Sequence, residues 1–208
     1  PEVLVIARVS KTVMPLRVKT GPVPSEACVV FATGSYSDQA VLSSSLHQLW
    51  AITYGSGMRN DPRYTPSDVF ETFPRPEPTD RLEQIGRALD IERREMMLRR
   101  DLGLTKLYNL VNDAEITAAD KDVARLRDLH VELDLAVLDA FGWTDVPTAH
   151  GFHAFRKMVR WTLCPAARVE ILDRLLEENH RRAEAAPRAN GLPRGTDSKD
   201  TAGRLFVD

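Results

Sequence analysis

The sequence predicts an α+β protein: a small β-rich module over residues 1–78, an all-helical bundle over residues 79–184, and a flexible tail over 185–208. Three observations carry this. Residues 3–9 (VLVIARV) and 27–32 (ACVVFA) are short β-branched, apolar runs, the pattern of strands. After Pro78 the apolar residues recur at three- and four-residue spacing over more than 100 positions, the pattern of helix faces. Between the two stands Pro74-Arg75-Pro76-Glu77-Pro78, a stretch in which neither period can continue.

Composition bounds the class. The chain has 208 residues, 43% apolar and 28% charged, as soluble globular proteins do. The net charge of −2 excludes a polybasic protein, but residues 1–76 carry +1 and residues 77–208 carry −3, and a local basic strip suffices for phosphate contacts. Cys28 and Cys164 have no metal-like spacing and imply no disulfide framework, which favours two reduced thiols and the cytoplasm. No apolar run approaches the roughly 20 residues that cross a bilayer, and no signal peptide is present, so no membrane association is expected. The chain opens on Pro1 and runs at once into a strand pattern, which suggests a piece of something longer.

In order, residues 3–9 predict the first strand. Residues 12–19 (TVMPLRVK) predict a second, at an edge or bulged because of Pro15. Arg8, Lys11, Arg17 and Lys19 fall within this stretch, with no acid among them. Residues 27–32 predict a third strand, buried and short. Leu42, Leu46, Leu49 and Thr53 mark a helix face, with a cap from Ser43–Ser45 and an end at Gly55. His47 and Trp50 on that helix read as packed residues rather than a catalytic base and a base-stacking platform. Gly55–Tyr64 (GSGMRNDPRY) is a loop with Arg59 and Arg63; arginine can grip guanine O6/N7 and asparagine adenine N6/N7. The run ending Phe70–Phe73 reads as a strand. Asp80 with Glu83 has capping-box spacing, as does Thr117 with Asp120. Gly103 divides the first helical run, Gly142 closes the second, and residues 151–184 predict a further helix or pair that Pro165 kinks or restarts.

Signals for catalysis are absent: no glycine-rich cofactor loop, no P-loop, no nucleophile elbow, no His-Glu-x-x-His. Asn60-Asp61-Pro62-Arg63-Tyr64 superficially resembles the Asn-Pro-Pro-Tyr tetrad of amino-methyltransferases, but lacks the consecutive prolines. His150 and His153 have no third ligand at metal spacing. No catalytic residue, metal ligand or cofactor is therefore assigned to the chain.

Leu42–Trp50 (LSSSLHQLW) and Arg63–Pro76 (RYTPSDVFETFPRP), with the later runs Leu107–Asp113, Val131–Asp134 and Ile171–Asn179, resemble the C-terminal part of the MmeI-like (type IIL/IIG) adenine-specific DNA methyltransferases of restriction–modification and phage defence. The resemblance implies a target recognition domain followed by a helical domain, double-stranded DNA as partner, and S-adenosylmethionine bound in an upstream N6-adenine methyltransferase domain of the same parent chain. Pro74–Ala88 also resembles the junction of type I specificity subunits, where a recognition domain gives way to a long helix. On this reading Arg8, Lys11, Arg17, Lys19, Arg59 and Arg63 form one basic DNA-contacting surface. The alternative is a non-catalytic helical protein–protein assembly module of a defence complex.

Overall fold

The computed structural model describes residues 1–21, 23–58, 61–155 and 158–185. It is an α+β fold with three small antiparallel sheets set against helices. Strands β1 (Glu2–Ala7), β2 (Leu16–Lys19) and β3 (Cys28–Phe31) form a sheet of order β2-β1-β3, in register Glu2↔Lys19 on one side and Ala7↔Cys28 on the other. Leu4, Ile6, Val29 and Phe31 point to one face and are buried there, which sets the register, since a one-residue slip would expose all four.

Helices α1 (Tyr36–Ser43) and α2 (Ser45–Tyr54) follow, each capped by a serine: the Ser35 hydroxyl accepts from the Asp38 amide and Ser44 from the His47 amide. Ser44 is extended, so the expected single helix is two, and Gly55 ends the second as its spacing predicted. A hairpin of β4 (Ser56–Met58) and β5 (Asp61–Arg63) leads to the single turn α3 (Pro66–Val69). The strand expected over Phe70–Phe73 is not formed. Pro66 at the first helical position starts a turn instead, and the Thr72 hydroxyl closes it by donating to Asp68 O at 2.6 Å.

Helix α4 (Asp80–Arg99) is capped by Thr79, whose hydroxyl accepts from the Leu82 amide. The Glu83 carboxylate, expected to complete a box on its own helix, reaches Ser37 N at 3.0 Å and satisfies the start of α1. Gly86 makes the α1–α4 crossing close: a Cβ there would stand 2.0 Å from Tyr36 O. After a break at Gly103 come α5 (Leu104–Val111) and α6 (Lys121–Ala140), the latter capped by Asp120. Arg127 of α6 donates to the carbonyls of Val111, Asp113 and Ile116, which supplies partners to the end of α5 that the helix cannot.

The all-helical expectation for residues 79–184 fails at one place. Two strands, β6 (His150–Phe155) and β7 (Met158–Leu163), pair antiparallel before α7 (Pro165–Ala185) begins at the restarting proline. Phe152, Phe155, Val159 and Leu163 stand three or four apart and imitate a helix face, although cross-strand pairing orients them. One apolar cluster runs through the molecule, from Leu4 and Phe31 through Leu46 and Trp50 to Leu89, Leu133 and Ile171.

Candidate nucleic-acid interface

Free positive charge decides where an anionic polymer could bind, and the helices have little of it. Arg81, Arg87, Arg94, Arg99, Arg100, Arg125, Arg174, Arg181 and Arg182 are each within ion-pair distance of a carboxylate of the same chain. The pairing shows in two carboxyls: Arg181 and Arg182 hold Glu178 down to about 2, and Arg174 holds Asp145 down to about 2. Arg93 and Arg127 are buried and donate to backbone carbonyls. Among the described residues, the exposed helical cations without such a partner are Lys106 and Lys121.

The β side differs. After β1, Tyr64 N donates to Arg8 O at 2.7 Å and Val9 bridges Arg63, so the strip 7–10 lies beside 62–64. This brings Arg8 and Arg63 onto one open groove of about 530 Å³, lined also by Ala7, Val9, Glu26 and Ala27. Arg8 Nε donates to the backbone carbonyl of Glu26 at 2.9 Å. That bond fixes the plane of the guanidinium and leaves its two terminal nitrogens to grip an acceptor pair, the geometry that suits phosphate or guanine. Arg63 is exposed, and neither arginine has a carboxylate within ion-pair distance among the described residues.

Lys11, exposed three residues on, lines a second groove of about 440 Å³ between the same strip, the end of α5 and β7. The strip is held from beneath by Arg160, which donates to Lys11 O at 2.7 Å. Residues 7–12 thus form a ridge between two grooves.

The six expected residues do not form one surface. Lys19 is exposed but pairs with Glu2 at the far end of β1, about 20 Å from Arg8 at strand rise. Arg59 lies outside the described residues. Arg17 is 6% exposed: it donates to Gln39 Oε1 at 3.1 Å and to Gly34 O at 2.8 Å, stands 3.9 Å from an Asp90 carboxylate oxygen, and packs over the Tyr36 ring. Its neighbours on the sequence gave no sign of this, because Gln39 is 22 positions away and Asp90 lies 51 beyond Gln39, and they come together only in the fold. Sequence reasoning passed over Arg75, exposed, with its guanidinium 4.5 Å above the Phe70 ring.

His47 and Trp50 are packed residues, as read. His47 is fully buried, with Nδ1 2.9 Å from Leu42 O and Nε2 3.0 Å from Tyr64 Oη; burial pushes its pKa down to about 4. No group of three or more metal-ligating side chains occurs among the described residues.

No family model matches the sequence, and no curated protein does. Among solved structures, the chain is similar in fold to the type IIL restriction–modification enzyme MmeI in complex with DNA, with a TM-score of 0.55 and 18% identity. The alignment covers 88% of this chain and 21% of that one, so the chain spans about a fifth of the length of MmeI. The strand–helix arrangement of this chain therefore occurs within a restriction–modification enzyme. No described helix is long and apolar enough to cross a membrane.

Proposed function

We propose that this chain is the DNA-recognition module of a larger restriction–modification enzyme, holding duplex DNA in register for an N6-adenine methyltransferase domain elsewhere in the parent chain. The observation that carries it is the Arg8–Arg63 groove, two arginines without acidic partners facing one open channel. The likeness to MmeI, a protein described in complex with DNA, supports the same partner. Register matters to such an enzyme because its adenine must leave the base stack to be reached.

On this reading methyl transfer, and S-adenosylmethionine with it, belong to the other domain of the parent chain. The paired strands among the described residues are antiparallel, and no glycine-rich cofactor loop stands in the sequence. A cytoplasmic location goes with this reading.

The test is duplex binding by anisotropy between 50 and 300 mM salt. The wild-type chain should show an affinity that falls with salt, and Arg8→Ala and Arg63→Ala should each flatten the slope by about one. Salt-independent binding, or none, would refute the reading. A second reading, the protein–protein assembly module, is favoured by Leu98 on α4, 76% exposed beside a groove of about 340 Å³ that Leu16, Val18 and Met97 also line.

A further inference from the structure

The second groove, on the far side of the ridge, differs chemically from the first. Its rim holds Lys11 on one bank and Asn109 of α5 and Val159 of β7 on the other. Asn109 is exposed, and its amide makes no hydrogen bond among the described residues, whereas Asn112, one turn on, is fully engaged: it donates to Tyr108 O at 2.8 Å and accepts from Trp161 N at 3.1 Å. Val159 is 58% exposed, an isolated apolar side chain near the outer end of the strand pair. The Asn112–Trp161 bond ties β7 to α5, so Asn109 and Val159 stand on mutually fixed backbones.

We infer that this groove reads base edges, and that Asn109 and Val159 recognise an A·T pair, Asn109 through adenine N6/N7 and Val159 through the thymine methyl. The inference rests on the proposed DNA-recognition function and adds to it the part of the helical half that takes part. In the major groove an asparagine amide matches adenine in a bidentate way, and thymine offers the one base-edge methyl group, for which a small exposed apolar side chain is the complement. A phosphate site would use neither. Lys11, exposed across the groove above the buried Arg160 that also lines it, supplies a backbone contact that places the duplex over the two readers. The two grooves therefore divide the work: arginines on one side of residues 7–12, an amide and a methyl contact on the other.

The experiment is selection from a pool of duplexes with a randomised 20-base-pair core, using the 208-residue wild-type chain, Asn109→Ala, Val159→Ala and Lys11→Ala, with bound duplexes sequenced and thermal unfolding measured for each. Wild type should enrich a motif containing at least one A·T pair. Asn109→Ala should lose roughly 5- to 150-fold of the preference for adenine at one position, Val159→Ala should relax the same or an adjacent position, and both should keep wild-type affinity for unselected duplex. Lys11→Ala should weaken all duplexes alike and leave the motif unchanged. If wild type enriches a motif and the Asn109 and Val159 variants enrich the same one equally, this inference falls and the DNA-recognition reading stands. If wild type binds no duplex, both fall together.

Discussion

Acid should unfold this protein through two buried histidines before its carboxylates begin to titrate. His47 and His130 are both buried, and burial pushes each from its ordinary 6.5 down to about 4. Each is held as the neutral ring by its partners. Leu42 O can only accept, so His47 Nδ1 carries the proton and Nε2 accepts from the Tyr64 hydroxyl. At His130, Arg93 donates to Tyr108 Oη at 3.5 Å, so the Tyr108 proton points to His130 Nε2 at 2.6 Å. A second ring proton would have to turn the tyrosine hydroxyl round and bring a charge into a buried site, and burial is the larger obstacle. The folded pKa lies below the unfolded one, so the unfolded chain binds more protons between pH 6.5 and 4, and stability falls as pH drops through that window. At pH 4.5 the loss is about 2–3 kcal/mol per histidine, a large share for the pair of the roughly 5–15 kcal/mol usual for a domain. Urea unfolding at half-unit steps from pH 7 to 4.5 should give a slope near pH 5 equivalent to the uptake of almost two protons. The ion-paired carboxyls Asp145 and Glu178, held near 2, begin to lose their contribution as pH falls through about 5, so the slope between pH 6.5 and 5 belongs to the histidines. A slope near zero between pH 6 and 5 would refute the buried-neutral assignment.

Other consequences are as direct. Gly86→Ala gains about 1 kcal/mol of helix propensity but drives a methyl into Tyr36 O, so the melting temperature should fall; a rise would show that α1 and α4 are not in contact as described. Arg17→Leu removes the buried hydrogen bonds to Gln39 and Gly34, while Asp90 keeps Arg94 at 3.3 Å, and should cost about 1–3 kcal/mol by urea unfolding; a salt slope for duplex binding unchanged from wild type would separate its structural role from DNA contact. Arg8→Ala combined with Arg63→Ala should flatten that slope by about two, measured by anisotropy, with unfolding unaffected beyond about 1 kcal/mol.

The parts of the fold that were legible in the sequence are those fixed by near neighbours. β1 and β3 were written in β-branched runs, the end of α2 in Gly55, and the starts of α6 and α7 in Asp120 and Pro165. The strand pair β6–β7 was not, because its aromatic and aliphatic residues fall at helical spacing and only pairing with the other strand reveals the true period. Phe70–Phe73 reads as strand because phenylalanine and threonine favour strands, whereas the helical turn that Pro66 starts just before it carries the chain into further turns. For the site, charge was legible but partnership was not. Arg8, Lys11 and Arg63 remain available at the surface. Arg17 looks identical to them in sequence, and the residues that sequester it come from α1 and α4.

The contact at Gly86 has a mechanical consequence. Two helices that meet backbone to backbone, with Glu83 stitched to Ser37 on one side and Arg17 clasped to Gln39 and Asp90 on the other, have no layer of side chains to slide upon. The sheet that leads into Arg8 and the long helix behind it therefore move as one lever, and on the proposed reading a duplex at the ridge would meet a template whose shape was decided when the chain folded. Any misfit has to be absorbed by the nucleic acid. Stiff steps in the duplex would then be penalised and pliant ones favoured even where no side chain touches a base, so bendability itself becomes part of what is selected.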